Sequence, residues 1–185
     1  RAACMVLQAD YSDRPEVVIY QRGESGFQAR VMADLPGGIP QNLTWSPDSK
    51  QVAYDINRDG NTDVYLLDVE RGVEQRITTH PREDVMRTWA PDGQSLVIRS
   101  RRGGGANQDL YRYDLVTEQI HALTSDGNGN DTPRYQPTGG LLAYVTNAGN
   151  AVNALHLMTA DGTTRYQLSN GPSNNTIGLA FSWRP

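Results

Sequence analysis

One short segment of this 185-residue chain carries the side chains best suited to metal chemistry. Oxygen-bearing side chains occur there at mostly alternate positions: Asp55, Asn57, Asp59 and Asp63. Gly60 would permit the sharp turn that a calcium loop needs, and calcium prefers oxygen ligands of these types. The pattern therefore predicts either a calcium loop or a turn of similar composition.

Two observations favour the structural turn. A helix-loop-helix calcium site needs a bidentate carboxylate at its twelfth position, and that position is Leu66 here. A second copy of the segment, residues 101–109, has Arg101, Gly103 and Gly105 where the first three oxygen ligands would stand. Because Asp and Asn side chains also cap backbone amides in turns, both interpretations stay open, with no other cofactor predicted.

The sequence contains none of the common catalytic motifs. It has no Gly-x-Ser-x-Gly elbow, no Gly-x-x-x-x-Gly-Lys phosphate loop and no His-Glu-x-x-His zinc helix. Its three histidines are dispersed, at His80, His121 and His156, and its single cysteine, Cys4, stands in an apolar stretch. We therefore expect a chain without catalytic activity of its own.

The elements that position these residues recur along the chain. An aromatic residue, a spacer and a proline occur four times, beginning at Trp45, Trp89, Tyr135 and Trp183, at intervals of 44, 46 and 48 residues. All three tryptophans occupy this position. A period of this length indicates a repeat architecture, in which each unit buries its apolar faces against its neighbours.

Each complete repeat has the pattern of four short strands. A Pro-Asp-Gly type of turn follows the aromatic residue, and an apolar run of strand length follows the turn. Two further strand-like segments close each unit, as at residues 63–68 and 74–78. Four strands in 40 to 50 residues are typical of one blade of a β-propeller, so we predict an all-β fold of antiparallel four-stranded blades.

The Trp-Ser-Pro-Asp turn, the Asn-Arg-Asp-Gly-Asn loop and the following apolar-Tyr strand resemble the TolB-type propeller repeat. They are also similar to the propeller of prolyl-oligopeptidase-like enzymes. The resemblance covers the whole chain and is most specific in the second and third repeats. It implies binding, mostly of proteins, rather than catalysis, and a periplasmic or extracellular location. TolB-like propellers usually have six blades, so the resemblance also implies a fragment or an unusual ring.

The repeat divides a single propeller domain, residues 1–185, into four predicted blades. Their bounds are 1–35 together with 177–185, then 39–80, 84–126 and 130–172. This division requires Ile177–Trp183 to pair with Cys4–Leu7, which would close the ring and remove two exposed sheet edges. If the ring does not close within one chain, a homodimer is the simplest symmetric alternative, and the chain could equally be part of a larger propeller.

Alternating strands place one set of loops on a single face of a propeller, and this face is the predicted binding site. Its candidate partner-binding residues are His80, Arg82, Arg58, Arg101, Arg102, Asn128, Asn147 and Asn174. Their polar character suits a protein or peptide partner. Two alternatives stay open: the propeller portion of a larger prolyl-oligopeptidase-like hydrolase, and a small-molecule or sugar-binding propeller with an axial pocket of aromatic and amide side chains.

Composition restricts the partners further. The net charge is −4, and the basic residues are dispersed among acidic ones, apart from the cluster at residues 99–102. A nucleic-acid partner would require a concentrated basic face, so none is expected. The apolar runs are of strand length, so membrane insertion is not expected either.

Overall fold

The computed structural model describes residues 3–8, 16–23, 26–34, 38–147 and 153–169 of the chain. These residues form fifteen strands and no helix. Consequently, no helix in this part of the chain could span a membrane. The all-β class predicted from the sequence is confirmed.

The strands form four antiparallel sheets in which neighbours in the sequence are neighbours in the sheet. The first sheet contains β1 (Ala3–Gln8), β2 (Glu16–Gly23) and β3 (Gly26–Asp34). The second contains β4 (Gln41–Trp45), β5 (Gln51–Arg58), β6 (Asn61–Asp68) and β7 (Val73–Arg76). The third contains β8 (Asp84–Trp89), β9 (Ser95–Ser100), β10 (Asp109–Asp114) and β11 (Ile120–Ala122). The fourth contains β12 (Asn130–Tyr135), β13 (Leu141–Asn147), β14 (Asn153–Thr159) and β15 (Arg165–Gln167).

The same turn joins the first two strands of the second, third and fourth sheets. A backbone N–H donates to the carbonyl three residues earlier, as from Gly93 to Ala90 at 2.9 Å and from Gly139 to Gln136 at 2.8 Å. The donor residue has a positive φ, 70° at Gly93 and 81° at Gly139. Glycine adopts this conformation without a steric penalty, whereas Ser49 adopts it in the second sheet at φ 60°.

The sheets pack face to face in chain order. Val17 and Ile19 of the first sheet lie in one core with residues of the second, including Tyr54 and Leu67. The opposite face of the second sheet meets the third through Ala53, Val64, Leu66, Met86, Leu96 and Ile98. The third meets the fourth through Val97, Leu110, Leu123, Leu142, Tyr144 and Met158. The second and third sheets are therefore apolar on both faces.

The repeat predicts that Trp45, Trp89 and Tyr135 are largely buried at the ends of inner strands, and each of them does end the first strand of its sheet. Trp89 is only 6% exposed, and its indole Nε1 donates to the Thr44 carbonyl of the second sheet at 3.2 Å. Trp45 and Tyr135 are half-buried rather than largely buried as expected. Tyr135 keeps some exposure because it lines a cavity of about 160 Å³ beside Pro91.

The predicted pairing of Ile177–Trp183 with Cys4–Leu7 involves residues outside the described part of the chain. Ring closure, the four-blade count and the blade bounds therefore stay predictions. Within the described residues, β1 pairs with β2 from Ala3 opposite Gln21 to Gln8 opposite Glu16.

Replacing Trp89 by alanine is expected to lower the free energy of unfolding by about 3 to 5 kcal/mol, because the indole fills the space between two sheets. Chemical denaturation measures the change. Val116→Ala is the control, since Val116 is 77% exposed and its truncation leaves no cavity. Equal effects of the two substitutions would show that the repeated aromatic position does not carry this packing.

Candidate functional site

Contacts between loops hold the predicted loop-rich face together. Some join two loops of one repeat, and others join loops of neighbouring repeats. Asn61, after the β5–β6 turn, donates from Nδ2 to the His80 carbonyl in the β7–β8 loop at 2.8 Å. In the third sheet, Asn107 donates from Nδ2 to the Gly127 carbonyl at 2.5 Å. Glu83 joins the two repeats, since its Oε1 lies 3.7 Å from Arg101 Nη1. Residues 59–60, 77–83, 101–108 and 123–129 therefore form one surface, which we call the loop-rich face.

A repeated carboxylate–threonine contact fixes the base of this face. Thr78 Oγ1 donates to Asp63 Oδ1 at 3.1 Å and accepts the Val64 N–H at 3.0 Å. Thr124 makes the same bonds in the third sheet, to Asp109 Oδ1 at 2.8 Å and from the Leu110 N–H at 2.9 Å. All these groups are buried, so each threonine is held in one orientation.

The same contact is incomplete in the fourth sheet. Ser169 Oγ accepts the Leu155 N–H at 3.1 Å, but Ala154 stands in the position of the carboxylate. Sequence reasoning missed this contact, although an Asp near the start of the third strand and a Thr after the fourth recur at one repeat interval.

Two of the predicted binding residues, Arg58 and Arg102, are built into the scaffold. The Arg58 guanidinium makes two bonds to the Glu74 carboxylate, at 2.7 and 2.9 Å, and lies 4.4 Å from the Tyr65 ring centroid. Arg102 Nη2 donates to Asp84 Oδ2 at 2.7 Å, and its guanidinium lies 5.3 Å from the Tyr111 ring centroid. Both therefore contribute cation–π contacts and ion pairs within one repeat.

Four of the other predicted residues, His80, Arg82, Arg101 and Asn128, lie on the loop-rich face. Arg82 and Arg101 are exposed, while His80 and Asn128 are half-buried. His80 Nδ1 accepts the Arg82 N–H at 3.1 Å, and Asp126 Oδ1 accepts the Asn128 N–H at 3.0 Å. Asn147 ends β13 opposite Asn153. Asn174 lies outside the described residues.

A feature that the sequence did not reveal lies where β4, β8 and β12 meet. Each of these innermost strands has an irregularity in its pairing with the next strand. The irregular positions include Asn42 at φ 50°, Arg87, and Thr132 at φ 49°. Such bulges redirect side chains out of the regular alternation of a strand. Here they turn polar groups toward the space between the inner strands.

A cavity of about 350 Å³ in this space is lined by residues of all three inner strands. A neighbouring cavity of about 550 Å³, which shares Asn42 and Arg87 with it, lies between the second and third sheets, and we call it the axial cavity. Its lining includes Gln41, Asn42, Asp55, Glu83, Arg87 and Arg99. Asp131 pairs with both arginines, at 2.7 Å from Arg87 Nε to Oδ1 and through Oδ2 to Arg99. Glu83 connects this cavity to the loop-rich face.

Burial sets the electrostatics of the cavity. It raises the pKa of the Asp55 carboxyl group, while bonds from Asn42 Nδ2 at 2.8 Å and the Met86 N–H at 3.0 Å act in the opposite direction. Burial also lowers the pKa of Arg99, and neighbouring Arg87 adds to this effect. A cavity of paired guanidinium and carboxylate groups can bind polar ligands through hydrogen bonds.

The four residues proposed for calcium do not converge. Asp59 and Gly60 form the two-residue turn between β5 and β6, with φ of 55° and 83°, as in a type I′ hairpin. Asp55 is opposite Val64 and Asp63 is opposite Ile56, so their side chains lie on opposite faces of the hairpin. Among the described residues, no group of three or more His, Cys, Asp or Glu side chains is arranged to hold a metal. The geometry therefore favours a structural turn.

Antiparallel sheets stacked face to face, with their first strands around a shared cavity, define the β-propeller class of repeat protein. The chain belongs to the TolB beta propeller domain family, whose model matches residues 10–181. The resemblance proposed from the sequence is confirmed.

Individual relatives agree with this family. An uncharacterized protein of Agrobacterium fabrum is 26% identical over 153 residues, which cover 76% of this chain and 52% of the relative. The Tol-Pal system protein TolB of Francisella tularensis is 19% identical over 136 residues, covering 72% of this chain and 31% of that protein. The chain thus spans about half or less of the length of these relatives.

Solved structures show the same fold. A provisionally assigned TolB from Agrobacterium tumefaciens has a TM-score of 0.68 at 22% identity, covering 86% of this chain and 62% of that one. A prolyl endopeptidase has a TM-score of 0.66 at 17% identity, covering 92% of this chain and 30% of that one.

The stability of Asp55→Asn relative to the parent protein is expected to increase as the pH rises from 3.8 toward the raised pKa of Asp55. The folded state raises the Asp55 pKa, so it binds this proton more tightly than the unfolded chain does. Ionisation therefore destabilises the parent between pH 3.8 and the raised pKa, and the variant escapes this loss. Denaturation at a series of pH values measures the difference. Asp161→Asn should show the opposite trend, because turn hydrogen bonds lower the Asp161 pKa to about 2.

Calorimetric titration with Ca²⁺ tests the function of the turn at Asp59. The structural-turn interpretation predicts no heat of binding for the parent protein or for Asp59→Ala. Saturable heat in the parent that vanishes in Asp59→Ala would establish a calcium site instead. Asp48→Ala provides a control for loss of an exposed carboxylate elsewhere.

Proposed function

We propose that this chain is a non-catalytic propeller module that binds a protein or peptide partner through its loop-rich face. The observation that carries the proposal is the network that joins the loops of two repeats through Glu83, which also lines the axial cavity. Arg82 and Arg101 stand exposed on this network, and Glu83 links it to the cavity. Loops that a rigid scaffold holds in place are common sites of binding.

The chemistry of the face supports a polar partner surface. Hydrogen-bonding loops and half-buried ion pairs surround the cavity, and protein interfaces commonly combine arginine with such polar rims. Asp131 bridges Arg87 and Arg99, and the carboxylates of Asp55 and Glu83 also line the cavity, so a ligand here would gain directed hydrogen bonds more than net attraction. This pairing also supports the expectation that nucleic acid is not the partner.

The relatives support the same assignment. One is named as a protein of the Tol-Pal system, and we favour a protein partner in a system of that kind and a periplasmic location. As part of this proposal, the whole protein forms a homodimer if the ring does not close within one chain.

Two other functions rank lower. The described lining of the axial cavity has amide, guanidinium and carboxylate groups but no aromatic ring on which a sugar could stack. A hydrolase function rests on likeness to a prolyl endopeptidase, which at 17% identity concerns the fold. Its catalytic groups would have to come from a segment outside this sequence.

Site-specific photo-crosslinking in the native cell tests the proposal. A photoreactive amino acid replaces Arg82 on the loop-rich face of the full-length protein. The matched control places it at Val116, which is 77% exposed in the turn between β10 and β11 on the opposite side. We expect one discrete protein adduct from position 82 and none from position 116. Equal labelling at both positions, or no adduct at position 82, would contradict the proposal.

A further inference from the structure

A groove lies between the outer strands of the second and third sheets, apart from the axial cavity. Its volume is about 640 Å³, and we call it the rim groove. Seven consecutive residues, 75–81, form one wall. At about 3.3 Å per residue in extended chain, this wall suits an elongated ligand more than a compact one. Arg102, Tyr113, Glu118 and Ile120 line the other side.

The floor of the rim groove is apolar. Ile77 and Ile120 are partly buried against the core between the two sheets, and Tyr113 belongs to that core with 8% exposure. Arg102 stands toward the loop-rich face, with its guanidinium beside the Tyr111 ring. The groove thus combines apolar contact with two guanidinium groups, those of Arg102 and Arg76, and Arg76 is already paired with Asp63 at 2.5 Å.

The second sheet has an arginine in the equivalent position, Arg58, and this arginine binds a carboxylate of the chain itself. In the second sheet, Arg58 lies over Tyr65 as Arg102 lies over Tyr111. There, Glu74 of the outer strand supplies a carboxylate to Arg58 at 2.7 and 2.9 Å and also accepts the Tyr54 hydroxyl. The chain fills this position of the second sheet with its own acidic side chain.

Strand register identifies the matching position in the other sheets. Glu74 is opposite Leu67, two residues beyond Tyr65, and Ile120 is opposite Tyr113, two residues beyond Tyr111. The match in the fourth sheet is Arg165, which is opposite Met158. Its Nη2 crosses to the third sheet and donates to the Leu123 carbonyl at 2.5 Å. Only the third of these sheets has an apolar side chain here, and there the groove is open.

Arg102 keeps one donor for a ligand. Its Nη2 donates to the fully buried Asp84, at 2.7 Å, and its Nε is 3.4 Å from Ser100 Oγ. Among the described residues, the side-chain hydrogen bonds of Arg102 leave from Nη2 and Nε, so Nη1 is the donor that can serve a ligand. Arg58, by contrast, uses both Nη1 and Nη2 on one carboxylate. Asp84 is fully buried and does not line the rim groove, whereas Arg102 does, so an acceptor in the groove can reach this guanidinium.

We propose that the rim groove binds an extended segment of a partner protein that carries an acidic residue flanked by apolar ones. The partner carboxylate takes the place that Glu74 occupies in the second sheet and accepts from Arg102 Nη1. The adjacent apolar side chains contact Ile77, Tyr113 and Ile120. This inference rests on the proposed function, since it names the kind of segment that a protein partner presents at the edge of the loop-rich face, to which residues 77–81 and Arg102 belong.

A self-filling variant tests the inference. Ile120→Glu supplies the missing carboxylate from the chain itself, as Glu74 does, and so competes with the ligand. The probe is a fluorescein-labelled peptide, Ser-Leu-Leu-Glu-Leu-Leu-Ser, and its control has Gln in place of Glu. Fluorescence anisotropy with the full-length protein measures both affinities. The matched control variant, His121→Glu, adds the same charge at the next residue of β11, which is exposed.

We expect the Glu probe to bind the parent protein about tenfold more tightly than the Gln probe, as a charge-assisted bond to arginine implies. Ile120→Glu should weaken the Glu probe by a similar factor, whereas His121→Glu should not. Thermal melting checks that Ile120→Glu is folded. Equal affinity of the two probes, or unchanged binding by folded Ile120→Glu, would overturn the inference.

Crosslinking separates this inference from the proposed function. An adduct at position 82 that persists in Ile120→Glu would overturn the groove inference and leave the proposed function intact. An adduct lost in Ile120→Glu and kept in His121→Glu would support both. Absence of the adduct in the parent would overturn the proposed function, while the peptide titration would still decide the groove.

Discussion

Face-to-face packing of the sheets is the interaction on which the rest of this structure depends. The second and third sheets are apolar on both faces, so neither could bury its side chains without a neighbour on each side. Trp89 spans one such boundary and is bonded to the Thr44 carbonyl of the preceding sheet. Because the packing sets the distance between inner strands, it also sets the width of the axial cavity between them.

Buried polar contacts fix the positions of strand ends and loop starts, which apolar packing alone does not determine. In the second and third sheets, the buried Asp–Thr contacts hold the end of the outer strand against the third strand, and the loops that follow therefore start from fixed positions. Asp55 plays a comparable role between repeats, since its carboxylate accepts an N–H from the irregular segment of β8. The candidate binding surfaces consist of loops and bulges, and buried hydrogen bonds determine where these loops and bulges begin.

The repeat allowed the fold to be predicted from the sequence, whereas the candidate site could be predicted only in part. Turn residues and the aromatic-x-Pro spacing are local signals, and the strand order, the type of turn and the aromatic positions followed from them. Arg87, Arg99 and Asp131 gave no such signal, because their convergence depends on bulges that bring different sheets together. Asp55 and Asp63 gave an ambiguous signal, because spacing that suits a calcium loop also occurs in a hairpin whose side chains alternate between faces.

The stacking order has a consequence for how such a chain acquires its structure. Each described core joins segments from two successive repeats, so the partners are separated by little more than one repeat length along the polypeptide. Closing loops of that size costs less entropy than bringing distant ends together. A sheet can then form on the surface of the one before it as the chain leaves the ribosome, with the preceding repeat acting as template. Growth of this kind lets a gene lengthen by duplication without a new folding problem at each step.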